Sequence, residues 1–175
     1  MTAASIALID YGAGNLTSVK KALSAIGASV FVPTAPEEMA DAAGVIVPGV
    51  GHFDATRALG PLWIDAILQR LGEGRPLLGI CLGMQWLFED SDEAPDVPGL
   101  GVLSGRCRRL GGRVTAELGN GVSAKPDRRG GAPGAIKIPH VGWNSLQLAR
   151  DAPILEGVAP GAQVYFTHSY IAPVT

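Results

Sequence analysis

The 175-residue sequence predicts an α/β fold: an open, doubly wound, mostly parallel sheet flanked by helices. Two observations carry that reading. Short, nearly unbroken apolar runs recur along the first half of the chain, as central parallel strands buried on both faces require. Helix-period segments alternate with them, which is the pattern of βα units rather than of hairpins. The composition, 47% hydrophobic and 17% charged, is that of a globular chain able to bury a sizeable core. A single domain spanning 1–175 is therefore expected.

Taken in order, "SIALID" (5–10) is the first strand, ending in a turn signal. "NLTSVKKALSAIGA" follows with apolar residues at Leu16, Val19, Leu23 and Ile26, a helical stripe closed by Gly27. "SVFV" (29–32), "GVIVPG" (44–49) and "RPLLGI" (75–80) repeat the strand signal, with helices expected near 54–71 and 82–90. Beyond about residue 92 the texture changes. "SDEAPDVPGLG" is turn-rich, "RCRRL" reads as a strand with exposed basic residues, and the Gly/Arg-rich stretch 111–135 reads as a flexible surface loop. Its basic residues suit either plain solvation or contact with a phosphate or partner. "AIKIPHVGWNSLQL" and "AQVYFTHSYIA" look like strands of an antiparallel extension.

Several function classes are disfavoured at once. A formal net charge of −2 gives no reason to expect nucleic acid or an anionic membrane as partner. Cys81 and Cys107 are too few for a disulfide framework and lack metal-ligand spacing, which points to a reducing cytosol and to no metal. The apolar run "AASIALI" stops at Asp10, too short for a signal peptide or a membrane span.

Three glycine-rich openings invite chemistry. "DYGAGN" (10–15) follows a strand and opens a helix, but Thr17 stands at the third glycine position of a dinucleotide fingerprint and no acidic residue ends the second strand. Nucleotide binding is rejected there. "PGVGHF" (48–53) is a tight turn on its own, and an oxyanion hole if it lies beside a nucleophile. Gly79-Ile80-Cys81-Leu82-Gly83 supplies that candidate: G-x-C-x-G repeats the logic of the hydrolase elbow, where a sharp strand-to-helix turn needs small flanking residues. Amide dipoles at the start of the helix near Leu82 favour negative charge on such a sulfur. The alternative is that Cys81 is a small core residue.

Together, "DYGAGNLTSVKKAL", "VPGVGHFDA", "LLGICLGMQWLFEDSDE", "GLGVL", "IPHVGWNSL" and "VYFTHSY" resemble, in order and spacing, the class I glutamine amidotransferase subunit of imidazole glycerol phosphate synthase. The resemblance covers nearly the whole chain outside 111–135. G-x-C-x-G-x-Q alone indicates only a class I glutaminase; "DYGAGN", "PGVG" and "PHVGWN" narrow it to this subunit. It implies the class I glutamine amidotransferase fold, with Cys81 as the nucleophile that forms a γ-glutamyl thioester and releases ammonia. Gly49, Val50 and Gly51 match the oxyanion strand, whose backbone N–H acts with that of Leu82. Gln85, Glu93, His168 and Ser169 match positions around the bound glutamine. Trp143 and Tyr165 match positions facing the cyclase subunit, a (β/α)₈ barrel that receives the ammonia; each aromatic has packing as its alternative. Neither cofactor nor metal is implied, and the expected setting is a cytoplasmic heterodimer of histidine biosynthesis.

The resemblance also implies a general-base histidine and its orienting glutamate, in an H-P-E motif after the "FTHSY" strand. The sequence contains no H-x-E. His52 has Asp54 two residues on but sits at the oxyanion turn, His140 lies in "PHVGWN" and His168 in the glutamine-contacting element. The expectation is a chain truncated before that motif, with the C-terminal strands and helix missing and its own activity impaired. A short scaffold variant is one alternative. Another is a class I glutaminase serving a different synthase, for example that of pyridoxal phosphate.

Overall fold

A computed structural model describes residues 5–111 and 138–173; the Gly/Arg-rich stretch read as a loop lies, apart from Gly111, outside the described residues. The described residues cluster in two compact units, 5–107 and 108–173.

The first unit is built on four parallel strands: β1 (Ser5–Leu8), β2 (Ser29–Phe31), β3 (Gly44–Gly49) and β4 (Leu77–Cys81), in the order β2-β1-β3-β4. This is the expected parallel sheet. Every residue of β3 is buried, and Val45 and Val47 join Ala7, Ile9, Phe53, Ile67 and Trp86 in one core. Register pairs Val47 with Gly79 and Gly49 with Cys81, so the carboxyl ends of β3 and β4 finish side by side. In open parallel sheets that end is where ligand sites form.

The helices differ from the sequence expectation for local reasons. Helix α1 (Leu16–Ala25) is capped by Asn15, whose side chain accepts the Ser18 N–H, and Leu16, Val19 and Leu23 are half-buried as the stripe predicts. Ile26 falls one residue past the helix, as its cap, and is 79% exposed. The helix expected over 54–71 is two pieces: a 3₁₀ turn at Phe53–Ala58 and α2 (Pro61–Gly72). Pro61 cannot donate to a preceding carbonyl and keeps Gly60 extended, so a helix starts there instead of running through. Arg70 of α2 is buried, its guanidinium donating to the Ala40 carbonyl and to Glu73. Helix α3 (Leu82–Trp86) is shorter than the segment 82–90 because Glu89 is drawn out by bonds to Gly105 and Gly99, leading into β5 (Asp90–Ser91). β5 runs parallel to the start of β6 (Arg106–Arg109), where Arg106 grips Asp90 with two hydrogen bonds of 2.5 and 2.8 Å.

The second unit is the expected antiparallel extension. β7 (His140–Ser145) and β8 (Gln163–His168) pair over six residues each, and β9 (Tyr170–Ile171) pairs with Arg108 and Arg109. Exposure alternates along both long strands, which gives the hairpin two distinct faces.

Candidate active site

Cys81 is the one described residue other than glycine with a positive φ, at φ 55° and ψ −109°. Such a conformation costs a side chain about 1–3 kcal/mol and persists only where its surroundings enforce it. Those surroundings are backbone. A Cβ on Gly83 would strike the Val47 carbonyl, and one on Gly79 would lie 2.5 Å from the Gly83 oxygen and from the Met84 nitrogen and Cα. Helix α3 therefore starts pressed onto β3 and β4, and the chain must reverse within one residue. That residue is Cys81, which serves as N-cap of α3 without spending its side chain on a capping bond and stands exposed.

The other cysteine is of the opposite kind. Cys107 is fully buried and its sulfur lies 3.7 Å from the Gln85 carbonyl. Burial, reinforced by the Asp90 and Asp92 carboxylates, pushes its thiol up to about 11. A thiol of that kind is inert at neutral pH.

Beside Cys81 lies the Gly49–Gly51 turn. A Cβ on Gly49 would run into the Tyr11 hydroxyl and sit 2.8 Å from the Leu82 Cβ and 3.0 Å from the Gly83 nitrogen, so this strand end is wedged between the 10–15 loop and α3. The loop also holds the turn directly: the Val50 N–H donates to the Ala13 carbonyl at 2.6 Å, and Gly14 approaches Pro48. Gly51 adopts φ +103°, a glycine conformation. The Tyr11 hydroxyl is buried without a hydrogen-bond partner among the described residues; burial, and then the charge at Cys81, push it up to about 12. The sequence assigns no separate role to Tyr11 or Ala13: "DYGAGN" reads there as a glycine-rich turn and as a mark of the family.

Glu93, two residues beyond β5, holds the start of the 3₁₀ turn that follows, its carboxylate accepting the Phe53 N–H at 2.8 Å. Gln85, one turn along α3 from Cys81, keeps its side-chain oxygen buried and unpartnered among the described residues. His52 caps the 3₁₀ turn, its Nδ1 accepting the Asp54 N–H, while the Asp54 carboxylate binds Arg57; the two do not form an acid–base pair. The first unit thus carries Gly49, Val50, Gly51, Cys81, Leu82, Gln85 and Glu93. His168, Ser169, Trp143 and Tyr165 belong to the second unit. There His168 ends β8, the Ser169 carbonyl accepts the Leu110 N–H at 2.8 Å, and Trp143 meets Tyr165 across the strand pair, ring centroids 5.6 Å apart. With Val141 they form an exposed apolar face. No group of three metal-ligating side chains occurs among the described residues, and no described helix is long and apolar enough to cross a membrane.

The family model "Glutamine amidotransferase class-I" matches residues 7–174, which include the cysteine elbow at the carboxyl edge of the parallel sheet and the glycine turn wedged beside it: the chain belongs to the class I glutamine amidotransferases. A crystal structure of a glutamine amidotransferase shares the fold at a TM-score of 0.61 and 19% identity, over 94% of this chain and 72% of that one. Nearer relatives carry the name imidazole glycerol phosphate synthase subunit HisH. That of Shouchella clausii is 45% identical over 95% of this chain and 73% of its own length. Those of Bacillus subtilis and Geobacillus thermodenitrificans are 44% and 46% identical, each over 94% of this chain and 71% and 70% of theirs. Within the class, the chain is a member of the HisH family.

Two outcomes follow from the geometry. Iodoacetamide at about pH 8 modifies Cys81 readily in the folded protein and Cys107 only on unfolding; equal, slow labelling of both contradicts the contrast drawn above. Gly83→Ala, which drives a methyl into the Val47 carbonyl, lowers stability in urea denaturation by about 3 kcal/mol or prevents folding, whereas a loss below about 0.5 kcal/mol is the size of a surface change and removes the close approach from the account.

Proposed function

We propose that this chain is the glutaminase subunit of a cytoplasmic imidazole glycerol phosphate synthase. The Cys81 sulfur attacks the side-chain carboxamide carbon of glutamine, forming a C–S bond as the carbonyl oxygen takes on negative charge. Collapse of that intermediate expels ammonia, which carries the proton delivered to the leaving nitrogen, and leaves a γ-glutamyl thioester. Water then adds to the thioester, giving glutamate and the free thiol.

The oxyanion is met by the N–H of Leu82, the first of α3 and without a partner inside the helix, and by an N–H of the Gly49–Gly51 turn. The Val50 N–H serves only once it has left the Ala13 carbonyl, which now holds it. Gln85 offers an unpartnered acceptor to the N–H groups of the substrate, and Glu93, Ser169 and the His168 segment complete its contacts, as the family resemblance implies. As the family resemblance implies, the proton leaving Cys81 goes to the histidine of an H-P-E motif, and none of the three histidines of the sequence stands in such a motif. His52 is a cap, and His140 and His168 are bonded to one another. Ammonia passes to the cyclase subunit, a (β/α)₈ barrel, which yields imidazole glycerol phosphate and aminoimidazole carboxamide ribotide. The exposed Val141, Trp143 and Tyr165 face suits that contact, aromatic anchors being what such interfaces favour.

The observation that carries this reading is the strained, exposed, uncapped Cys81 in register with Gly49. Glutamine slows iodoacetamide labelling of Cys81 about tenfold or more at saturation, while glutamate at the same concentration protects weakly and Cys107 is unaffected. Protection by neither amino acid contradicts a glutamine site at the elbow.

A further inference from the structure

The face of the β7–β8 hairpin opposite Trp143 and Tyr165 carries a chain of hydrogen bonds that the reaction above does not use. His140 opens β7, His168 closes β8, and the two are register partners. Asn144 Nδ2 lies 2.9 Å from His140 Nε2, His140 Nδ1 lies 3.0 Å from His168 Nε2, and His168 Nδ1 lies 2.9 Å from the Tyr170 carbonyl oxygen. The two rings meet edge-on, with Phe166 against both.

The direction of this chain is decided by its ends. A carbonyl only accepts, so His168 Nδ1 carries the hydrogen. The Nε2 of a neutral His168 is then an acceptor, and His140 Nδ1 donates to it. That leaves His140 Nε2 with a lone pair, which the Asn144 amide N–H fills. Every ring nitrogen is satisfied with both imidazoles neutral. A charged His168 reverses the requirement: His140 must then offer a lone pair at Nδ1 and an N–H at Nε2, facing the Asn144 amide donor to donor. The neutral pair is therefore the one this arrangement selects.

We propose that His140 and Asn144 are positioning residues: their chain fixes His168 as the Nδ1–H tautomer, ties it to the Tyr170 carbonyl and so holds the one-residue turn at Ser169 between β8 and β9. The inference rests on the reading of His168 and Ser169 as glutamine contacts, and it sharpens that reading. With both ring nitrogens committed, the His168 imidazole has no polar atom left for substrate. What this segment offers glutamine is its main chain and Ser169.

The chain is also sensitive to pH. The titratable and charged groups on the strands that pair here are His168 and Tyr165 on β8, Tyr170 on β9, and Arg108 and Arg109 of β6. A proton added to either imidazole places a donor against a donor unless the Asn144 amide turns over. Burial, with the neighbouring His168, lowers the His140 pKa from its ordinary 6.5. The neutral ring is thus favoured by folding: the stabilisation is complete above about 6.5 and is lost as the pH falls from there through the lowered value.

The test combines a tautomer measurement with a binding one on the full chain. Two-bond ¹⁵N–¹H correlations at about pH 8 are expected to show both His140 and His168 as Nδ1–H tautomers. Asn144→Asp, which sets a carboxylate against His140 Nε2, is expected to raise the proton affinity of His140 about tenfold or more. His140→Phe is expected to raise the glutamine concentration that half-protects Cys81 about tenfold, and His140→Gln, which keeps a donor and an acceptor, to stay within about threefold of the unaltered protein. Either ring in the other tautomer, or charged at that pH, overturns the proposal. The stated tautomers with unchanged half-protection in His140→Phe overturn the positioning role and leave the glutamine site standing. No protection in the unaltered protein removes the glutamine site, and the positioning role that rests on it.

Discussion

The approach of helix α3 to the ends of β3 and β4 is the constraint on which the site depends. Gly83 lies so close to the Val47 carbonyl, and Gly79 to the Gly83–Met84 backbone, that neither place admits even a methyl group. Because the helix begins immediately after the strand and packs against it, the linking residue has no ordinary conformation available. Cys81 takes φ 55° in consequence, and its sulfur, which caps nothing, is left exposed. The same contact wedges Gly49 between Leu82 and Tyr11. One packing arrangement thus sets both the strained cysteine and the glycine turn beside it, with the cost in strain sustained by a core that runs from Ala7 to Val97.

The 10–15 loop acquires a purpose from this arrangement. Gly14 lets the loop close on Pro48, and the Ala13 carbonyl takes the Val50 N–H. The Val50 N–H is thereby tied to the loop, while Tyr11 contributes a buried hydroxyl against the end of the strand. Loop and turn thus meet at three places, Ala13 with Val50, Gly14 with Pro48 and Tyr11 with Gly49, and the turn itself meets the elbow at Leu82.

Much of this was legible in the sequence, and the rest was not for definite reasons. Parallel strands buried on both faces read as apolar runs, so β1 to β4 were visible within two residues, and G-x-C-x-G marked the elbow because its glycines are sterically obligatory. The region 54–71 read as one helix because periodicity continues through it, although Gly60-Pro61 divides it. Ile26 completes a helical stripe in sequence but lies just past the helix end. The roles of Tyr11 and Ala13 depend on two loops meeting, and the His140–His168 chain on a strand register linking residues far apart in sequence; neither leaves a local pattern. Gln85 and Glu93 could be named only through family resemblance, since a lone amide and a lone carboxylate have no spacing of their own.

The fold forces Cys81 into a conformation that only glycine adopts without strain. Thermal and urea denaturation of Cys81→Gly and Cys81→Ala measure it directly, since both remove the sulfur and differ only in the Cβ. Ordinarily glycine costs stability relative to alanine, by about 0.5–1 kcal/mol within a regular element. Here the order is predicted to invert, Cys81→Gly being the more stable by about 1 kcal/mol or more. An alanine variant as stable as the glycine variant, or more so, would contradict the strained elbow and the account built on it.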